Sequence, residues 1–151
     1  MSKAIVTYFS ASGVTAKKAS ELANMFSADL FEIAPKQKYS LADLDWRDGN
    51  SRSSLEMKDK NSRPEMLENA DLSAYDTVFI GFPIWWYTAP HIINTFIESN
   101  DFSGKKVIVF ATSGSTGVEK SLKDLQEKYP EIKIVGGQLI NGSFSASDFD
   151  F

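Results

Sequence analysis

Five short apolar segments, rich in β-branched and aromatic residues, place the strongest limit on what this chain can fold into. Their side chains do not alternate in polarity, which is typical of strands that are buried on both faces of a sheet. The segments are Ala4–Phe9, Leu30–Ile33, Thr77–Gly81, Lys106–Ala111 and Lys133–Ile140. We therefore predict five strands that other elements cover on both sides.

Segments with helical spacing lie between most of these strands. Apolar residues at steps of three and four share one face of an α-helix. Such sets are Ala19, Leu22, Ala23 and Phe26 after Thr15, then Ile92, Ile93, Phe96 and Ile97, and finally Val118, Leu122 and Leu125. Strands and helices in alternation predict an α/β fold with a parallel sheet, right-handed crossovers and helices on both faces.

The composition limits the partners that the chain can have. Its 151 residues, 42% hydrophobic and 24% charged, suit one domain over residues 1–151. Sixteen basic against twenty acidic residues give a net charge of −4 without a basic tract, so we expect no nucleic-acid partner. With no cysteine and one histidine, a conventional metal site would need carboxylates alone. We find no signal peptide and no apolar run of about 18 residues, and expect a cytoplasmic protein without membrane association.

In a sheet of this kind, ligands bind at the carboxyl ends of the strands, where the strand order reverses. The loop after the first strand, SASGVTAK, begins at Ser10 and leads into a helix. Successive backbone N–H groups at such a turn form a cradle for a phosphate, and the hydroxyls of Ser10, Ser12 and Thr15 add hydrogen bonds. A plain helix cap would have the same composition. The Gly-Lys-Ser/Thr and Gly-x-Gly-x-x-Gly nucleotide patterns are absent.

Two further loops end at the same edge of the sheet. FPIWWYTAP, Phe82–Pro90, offers three flat rings between two prolines, and these rings could also pack on the next helix or at a dimer interface. ATSGSTG, Ala111–Gly117, is small and polar, with glycines that let the backbone approach a ligand. Together the three loops favour a ligand with a phosphate at one end and a flat ring system at the other, such as flavin mononucleotide (FMN).

The segments IVTYFSASGVTAK, FIGFPIWWYTAP and VIVFATSGSTG resemble a flavodoxin of the short-chain kind, and NSRS…EM…RP resembles a bacterial flavodoxin-like subfamily. The resemblance implies a doubly wound five-stranded parallel sheet in the order 2-1-3-4-5 and FMN as the cofactor. Carried over by position, it implies phosphate contacts from Ser10, Ser12, Gly13, Val14 and Thr15. It implies ring contacts from Pro83, Ile84, Trp85, Trp86, Tyr87, Thr112, Ser113, Gly114 and Gly117.

Three positions depart from the flavodoxin pattern. Ala11 replaces a residue that often carries a hydroxyl, and the third loop lacks the tyrosine that covers the second flavin face. Trp86 stands where flavodoxins usually have a glycine whose peptide turns over when the flavin is reduced. That turn needs a positive φ, which we expect a bulky residue to resist by about 1–3 kcal/mol. The one-electron-reduced flavin should then be less stabilised.

The resemblance implies an electron-transfer protein that serves a redox partner protein or a small-molecule electron acceptor, with no catalytic residue of its own. The alternative is an FMN-dependent NAD(P)H:quinone-type oxidoreductase, because the missing tyrosine would leave one flavin face open to a second flat molecule. His91 could donate a proton to the flavin or could be an ordinary surface residue. A phosphoacceptor domain is disfavoured, since Ser10 and Phe82-Pro83 occupy the positions where it needs carboxylates.

The segment from Ala34 to Asp76 is too long and too polar for a simple helical crossover. We predict that Ser40 caps a short helix beginning at Leu41 and that residues 63–69 form another. The echo of DGNSR in DKNSR indicates two similar turns or chance. Arg52 and Arg63 could bind an anionic group of a partner, or could be solvated surface residues.

The last residues, SFSASDFDF, offer Ser147 or Asp148 as a helix cap, but the chain stops before a helix can form. A doubly wound sheet usually carries a final helix here, so we expect that helix to be missing and an apolar sheet face to be left open. Such a patch seldom stays exposed, which predicts that this face is covered by another copy of the chain, in a homodimer, or by another protein. A truncation would leave the same sequence pattern.

Overall fold

The computed structural model describes residues 3–113 and 116–149 of the chain. Its centre is one parallel sheet of five strands in the order β2-β1-β3-β4-β5. The strands are β1 (Ala4–Tyr8), β2 (Asp29–Glu32), β3 (Thr77–Pro83), β4 (Lys106–Thr112) and β5 (Lys133–Leu139). This confirms the predicted fold class and strand order.

Helices cover both faces of the sheet. They are α1 (Val14–Phe26), α2 (Arg52–Lys58), α3 (His91–Glu98) and α4 (Glu119–Lys128), with a 3₁₀ turn at Ala146–Phe149. The apolar residues of α3 and α4 join one buried cluster, and those of α1 join the other. None of the described helices has both the length and the apolarity that a membrane crossing needs.

Close packing at the centre of the sheet leaves room only for a glycine at Gly81. Gly81 of β3 pairs with Phe110 of β4, and the Phe110 ring lies over its backbone. A Cβ atom at Gly81 would come within 2.0 Å of the Phe110 Cζ atom. Any side chain at this position would therefore displace a ring that is itself fully buried.

The long segment between β2 and β3 differs from the prediction. Ser40 and Asp43 exchange hydrogen bonds, with Ser40 N donating to Asp43 Oδ2 (2.9 Å) and Asp43 N to Ser40 Oγ (3.1 Å), but they close only a turn. Residues 63–69 are not helical either, because Met66 forms an antiparallel bridge with Pro35. The helix of this segment is α2, which begins after the cap Ser51.

The two echoed pentapeptides form the same turn. Asp48 Oδ1 accepts a hydrogen bond from Asn50 N, and Asp59 Oδ1 accepts one from Asn61 N, each at 2.9 Å. In both copies the aspartate carbonyl also accepts from the N–H of the serine three residues on, at 3.0 Å. The first copy leads into α2 and the second follows it, so the echo reflects two similar turns.

The C-terminal residues cover the sheet face that we expected to be open. Phe149 is only 4% exposed and packs edge-on against Phe26, Phe79 and Phe144. Lys18 of α1 holds the connecting segment by donating from Nζ to the Gly142 carbonyl at 2.8 Å. A short 3₁₀ turn therefore buries a large ring where a doubly wound sheet usually carries a full helix, and an open apolar face no longer supports the predicted homodimer.

Replacing Phe149 tests this cover. We expect Phe149→Ala to lower the free energy of unfolding by about 3 kcal/mol, because it deletes a buried ring and leaves a cavity between α1 and the sheet. Urea denaturation measures the change. Leu41→Ala is the matched control, since Leu41 is 91% exposed and its loss should cost less than about 0.5 kcal/mol. Equal midpoints for the two variants would contradict the packing role of Phe149.

Candidate functional site

A cavity of about 640 Å³ lies at the carboxyl edge of the sheet, where the strand order reverses around β1 and β3. This is the position at which doubly wound sheets bind ligands. Its described lining is uncharged and consists of Ala11, Ser12, Leu44, Trp46, Ser53, Pro83, Ile84, Trp85, Trp86, Tyr87, Ser113 and Thr116. The size is in the range of pockets that enclose a small organic molecule.

The loop after β1 forms the amino end of α1. Gly13 is the helix cap with φ of 95°, a conformation that glycine adopts without strain, and its N–H donates to Ser10 Oγ at 3.1 Å. No described residue accepts a hydrogen bond from the N–H groups of Val14, Thr15 or Ala16. These donors, together with the helix dipole, form a site suited to an anion.

Hydrogen bonds join the three loops to one another. The buried hydroxyls of Thr15 and Thr112 lie 2.8 Å apart, which links the loops after β1 and β4. Ile84 N donates to the Thr112 carbonyl at 2.9 Å and so continues the pairing of β3 with β4. Asn141, which follows β5 and was not predicted, accepts from Ser113 N at 2.8 Å. The cavity walls therefore form one connected frame.

The aromatic loop contains a tight turn with unusual backbone angles. Trp85 and Thr88 exchange both backbone hydrogen bonds, at 2.9 and 3.0 Å, around Trp86 and Tyr87. These two central residues have φ of 47° and 69°, which defines a type I′ turn. Trp86 adopts the positive φ that we expected a bulky residue to resist, because the paired hydrogen bonds hold it there, so the cost of this angle is already part of the folded structure. The argument drawn from it about the one-electron-reduced flavin loses its premise.

Trp85 is half-buried, and its ring is held by aromatic contacts. It meets Phe9 and Tyr39 edge-on, with ring centroids 5.6 and 5.5 Å away. The Tyr39 hydroxyl donates to Glu56 Oε1 at 2.5 Å, and the Arg52 guanidinium lies 3.8 Å from the Tyr39 ring centroid. Burial, followed by the bond to Glu56, raises the pKa of Tyr39 well above its usual range. Helix α2 thus supports the ring that stands at the cavity.

Arg52 and Arg63, the two arginines considered for binding an anionic group, have partners within the chain. Arg52 donates to Glu56 Oε2 at 3.0 Å and to the Gln37 carbonyl at 2.8 Å. Arg63 donates to Glu98 Oε1 at 2.9 Å, and this bond lowers the pKa of Glu98. Neither arginine lines the cavity. The hypothesis that they bind an anionic group of a partner is therefore not supported by their contacts.

His91 lies away from the cavity lining, at the start of α3. Ser62 Oγ donates to the Glu56 carbonyl at 2.7 Å, so His91 Nδ1, at 2.6 Å, must donate to the same hydroxyl. Burial first, and then the charge of Arg63, lower the pKa of His91. His91 therefore joins α3 to the long segment; it is half-buried and so is not a free surface residue, and it is outside the described cavity lining.

The predicted site residues fall into three groups. Seven line the cavity: Ser12, Pro83, Ile84, Trp85, Trp86, Tyr87 and Ser113. Ser10, Gly13, Val14 and Thr15 form the loop at the amino end of α1, and the Thr112 hydroxyl contacts that of Thr15. Gly117 follows the lining residue Thr116, and a Cβ there would meet Glu119 Oε2 at 2.2 Å. Gly114 lies outside the described residues.

Sequence reasoning missed the cavity residues that come from the long segment, which are Leu44, Trp46 and Ser53. The available signal was Trp46, a single large aromatic residue in a polar stretch. Its position across the cavity depends on the turns of residues 40–51, which sequence spacing does not specify. Thr116, in the third loop, was also missed.

The fold and the cavity define a doubly wound α/β protein with a ligand-sized cavity at its topological switch point, where such sheets bind ligands. Two proteins assigned as flavoproteins have closely similar structures. One, from Bacteroides uniformis ATCC 8492, is 51% identical with a TM-score of 0.93, over 97% of this chain and 94% of that chain. The other, from Bacteroides eggerthii DSM 20697, is 46% identical with a TM-score of 0.93, over 95% and 91%.

A flavoprotein from Lactobacillus acidophilus NCFM, crystallised in complex with FMN, shares the fold at 23% identity and a TM-score of 0.75, over 92% of this chain and 93% of that chain. Among proteins with curated functions, none matches significantly. The family model described as Flavodoxin matches residues 3–150. The chain belongs to the flavodoxin family.

The positive φ angles of the aromatic turn should be measurable as strain. We expect Tyr87→Gly to raise the free energy of unfolding by about 1 kcal/mol, because glycine adopts this conformation freely and Tyr87 is 64% exposed. Leu67→Gly is the control, at a residue of similar exposure without a positive φ, and it should be destabilising. Urea denaturation compares the two, and equal losses would contradict strain at Tyr87.

The lowered pKa of His91 predicts a dependence of stability on pH. Below about pH 6.5 the unfolded chain binds a proton that the folded chain takes up only at lower pH, so the free energy of unfolding falls as the pH drops. Above pH 6.5 the full contribution of His91 to the free energy of unfolding is present. As the pH falls from 7.5 to 5.5, the urea midpoint of the wild type should decrease, and the midpoint of His91→Gln should change less. Parallel profiles would contradict this assignment.

Proposed function

We propose that the chain binds FMN in this cavity and works as an electron carrier. The observation that supports this most is a cradle of backbone N–H groups beside an uncharged, aromatic-lined cavity at one edge of the sheet. The flavodoxin family and the FMN complex of the Lactobacillus acidophilus relative point to the same ligand. FMN carries an anion and a flat ring system, and the residues present fit both.

The phosphate end would be held at the amino end of α1. Val14, Thr15 and Ala16 offer backbone N–H groups, and Ser10 and Ser12 add hydroxyls. Each hydrogen bond to a charged group contributes about 1.5–3 kcal/mol. Ala11 offers no hydroxyl at its position, so the cradle depends mainly on the backbone. This arrangement binds a phosphate without a lysine or arginine in the described lining.

The ring end would lie against Trp85, whose orientation Phe9 and Tyr39 fix. When bound, FMN supplies reversible redox chemistry at its ring. The described lining contains no carboxylate, imidazole or amine, so the chain offers no general acid or base of these kinds there. The protein would then hold the ring, exclude water from one side and tune its electrostatic surroundings.

Two electrostatic features suit a carrier. The described lining contains no cationic side chain that would stabilise negative charge on a reduced ring. The lack of such a charge lowers the reduction potential of the ring. The net charge of −4 favours encounter with basic redox partners. We propose a redox partner protein of that charge as the physiological contact.

One observation favours a second function, that of an FMN-dependent NAD(P)H:quinone-type oxidoreductase. Trp86 and Tyr87 line the cavity yet are 42% and 64% exposed, so flat aromatic surface remains open beside the ring site. A nicotinamide or quinone could stack there. Steady-state turnover with a nicotinamide donor and a quinone separates the functions, since a carrier turns over negligibly without a reductase.

Flavin titration tests the binding proposal. We expect the pure protein to be yellow or to bind added FMN, and to bind riboflavin about tenfold or more weakly, because riboflavin lacks the phosphate. Trp85→Phe should weaken FMN binding several-fold. Tyr75→Phe is the control, because Tyr75 lies before the amino end of β3, opposite the site. Equal affinity for both flavins would contradict the phosphate cradle, and a failure to bind FMN would overturn the proposal.

A further inference from the structure

We propose that residues 44–53, here called the wall segment, form a second wall of the flavin site. Trp46 supplies an aromatic contact to the ring, and Ser53 supplies a hydrogen bond to a polar atom of the ligand. This inference rests on the proposed function and assigns the ligand contacts of a segment outside the three loops. Two independent observations carry it: an exposed ring on an anchored backbone, and a buried hydroxyl with no partner among the described residues.

Trp46 lines the same cavity as Trp85 and Trp86 but is 71% exposed. Its closest aromatic or cationic contact among the described residues is the Arg47 guanidinium, 5.8 Å from the ring centroid. A tryptophan that served packing would bury most of its surface. Here the ring leaves most of its surface to the solvent at the edge of a ligand-sized cavity.

The backbone around Trp46 is nevertheless firmly held. Asp48 N donates to the Asp45 carbonyl, and Arg47 N donates to Asp45 Oδ1, both at 3.1 Å. Further along, Ser53 N donates to the Asp43 carbonyl at 2.9 Å, and Lys58 Nζ donates to the Gly49 carbonyl at 2.9 Å. The exposed ring is therefore presented by an ordered turn. Such presentation reduces the entropy lost when a ligand stacks on it.

Ser53 provides the second observation. Its residue is 1% exposed, it lines the cavity, and its hydroxyl has no hydrogen-bond partner among the described residues. Buried hydroxyls without partners are rare, because each costs free energy that a hydrogen bond would recover. A rotation of the Ser53 side chain toward the cavity would let a polar ligand atom satisfy it, because the hydroxyl oxygen itself is buried in this structure. Ser121 shares the burial and the missing partner, but it belongs to α4 and is outside the described cavity lining.

The wall segment also accounts for a departure from the flavodoxin pattern. The third loop has no tyrosine to cover the ring, whereas Trp46 reaches the cavity from a different part of the chain. Contacts of α2 with Tyr39, and of Tyr39 with Trp85, join this wall to the first one. A second ring at the cavity narrows the space left for a flat electron donor, which favours electron transfer through the protein edge.

Two serine variants test the hydroxyl. We expect Ser53→Ala to raise the FMN dissociation constant about fivefold, while the urea midpoint of the flavin-free protein is unchanged or higher, because no hydrogen bond to a described residue is lost. Ser121→Ala is the matched control and should leave the FMN affinity unchanged. A lower midpoint for Ser53→Ala with wild-type affinity would assign Ser53 a structural role and overturn its part of the inference.

Three further variants test the ring. Trp46→Ala should raise the FMN dissociation constant about tenfold, which corresponds to about 1.4 kcal/mol, and should alter the visible circular dichroism of the bound flavin. Trp46→Phe should restore most of the affinity. Leu41→Ala, which removes an even more exposed apolar side chain outside the described cavity lining, should bind as the wild type does.

The outcomes separate the two proposals. A wild type that binds FMN, with Trp46→Ala and Ser53→Ala equal to it in affinity and in visible circular dichroism, overturns the wall segment alone. A folded wild type that does not bind FMN overturns the proposed function and this inference together.

Discussion

The parallel pairing of β1, β3 and β4 is the constraint on which the rest of the structure depends. It brings three loops to one edge, and two bonds through Thr112 then fix how they meet: its hydroxyl with Thr15 and its carbonyl with Ile84 N. The proposed phosphate cradle and the aromatic turn are thus set relative to each other by the sheet. Because these contacts are buried, the two ends of the proposed ligand site form one rigid unit.

The segment between β2 and β3 is built around this unit. Tyr39 connects it to Trp85 through ring contacts and to α2 through Glu56 and Arg52. Ser62 and His91 connect its far end to α3. A polar segment of this length can remain ordered because its carboxylates, hydroxyls and carbonyls take part in bonds within the protein, which offset the entropy of fixing its backbone.

The sequence determined the strands, the α/β class and the positions of the three loops, because buried parallel strands and amphipathic helices leave clear patterns. It did not specify α2, since Ser40 and Ser51 are both good helix caps and only the second leads into a helix. Nor did it reveal that Phe149 closes the sheet face, because ring burial depends on contacts distant in sequence. Trp46 and Ser53 were not predicted, because their positions at the cavity also depend on contacts distant in sequence.

Residues that break local rules converge on the cavity. Trp86 and Tyr87 have backbone angles that suit glycine, Trp46 leaves a large ring exposed, and Ser53 leaves a buried hydroxyl without a described partner. Each of these features either lowers the stability of the fold or adds nothing to it. Ser121 shows that one such feature can occur elsewhere by itself. Several around one cavity are expected where ligand binding, and not folding, selects the residues. This argues for a ligand site more strongly than the cavity volume does.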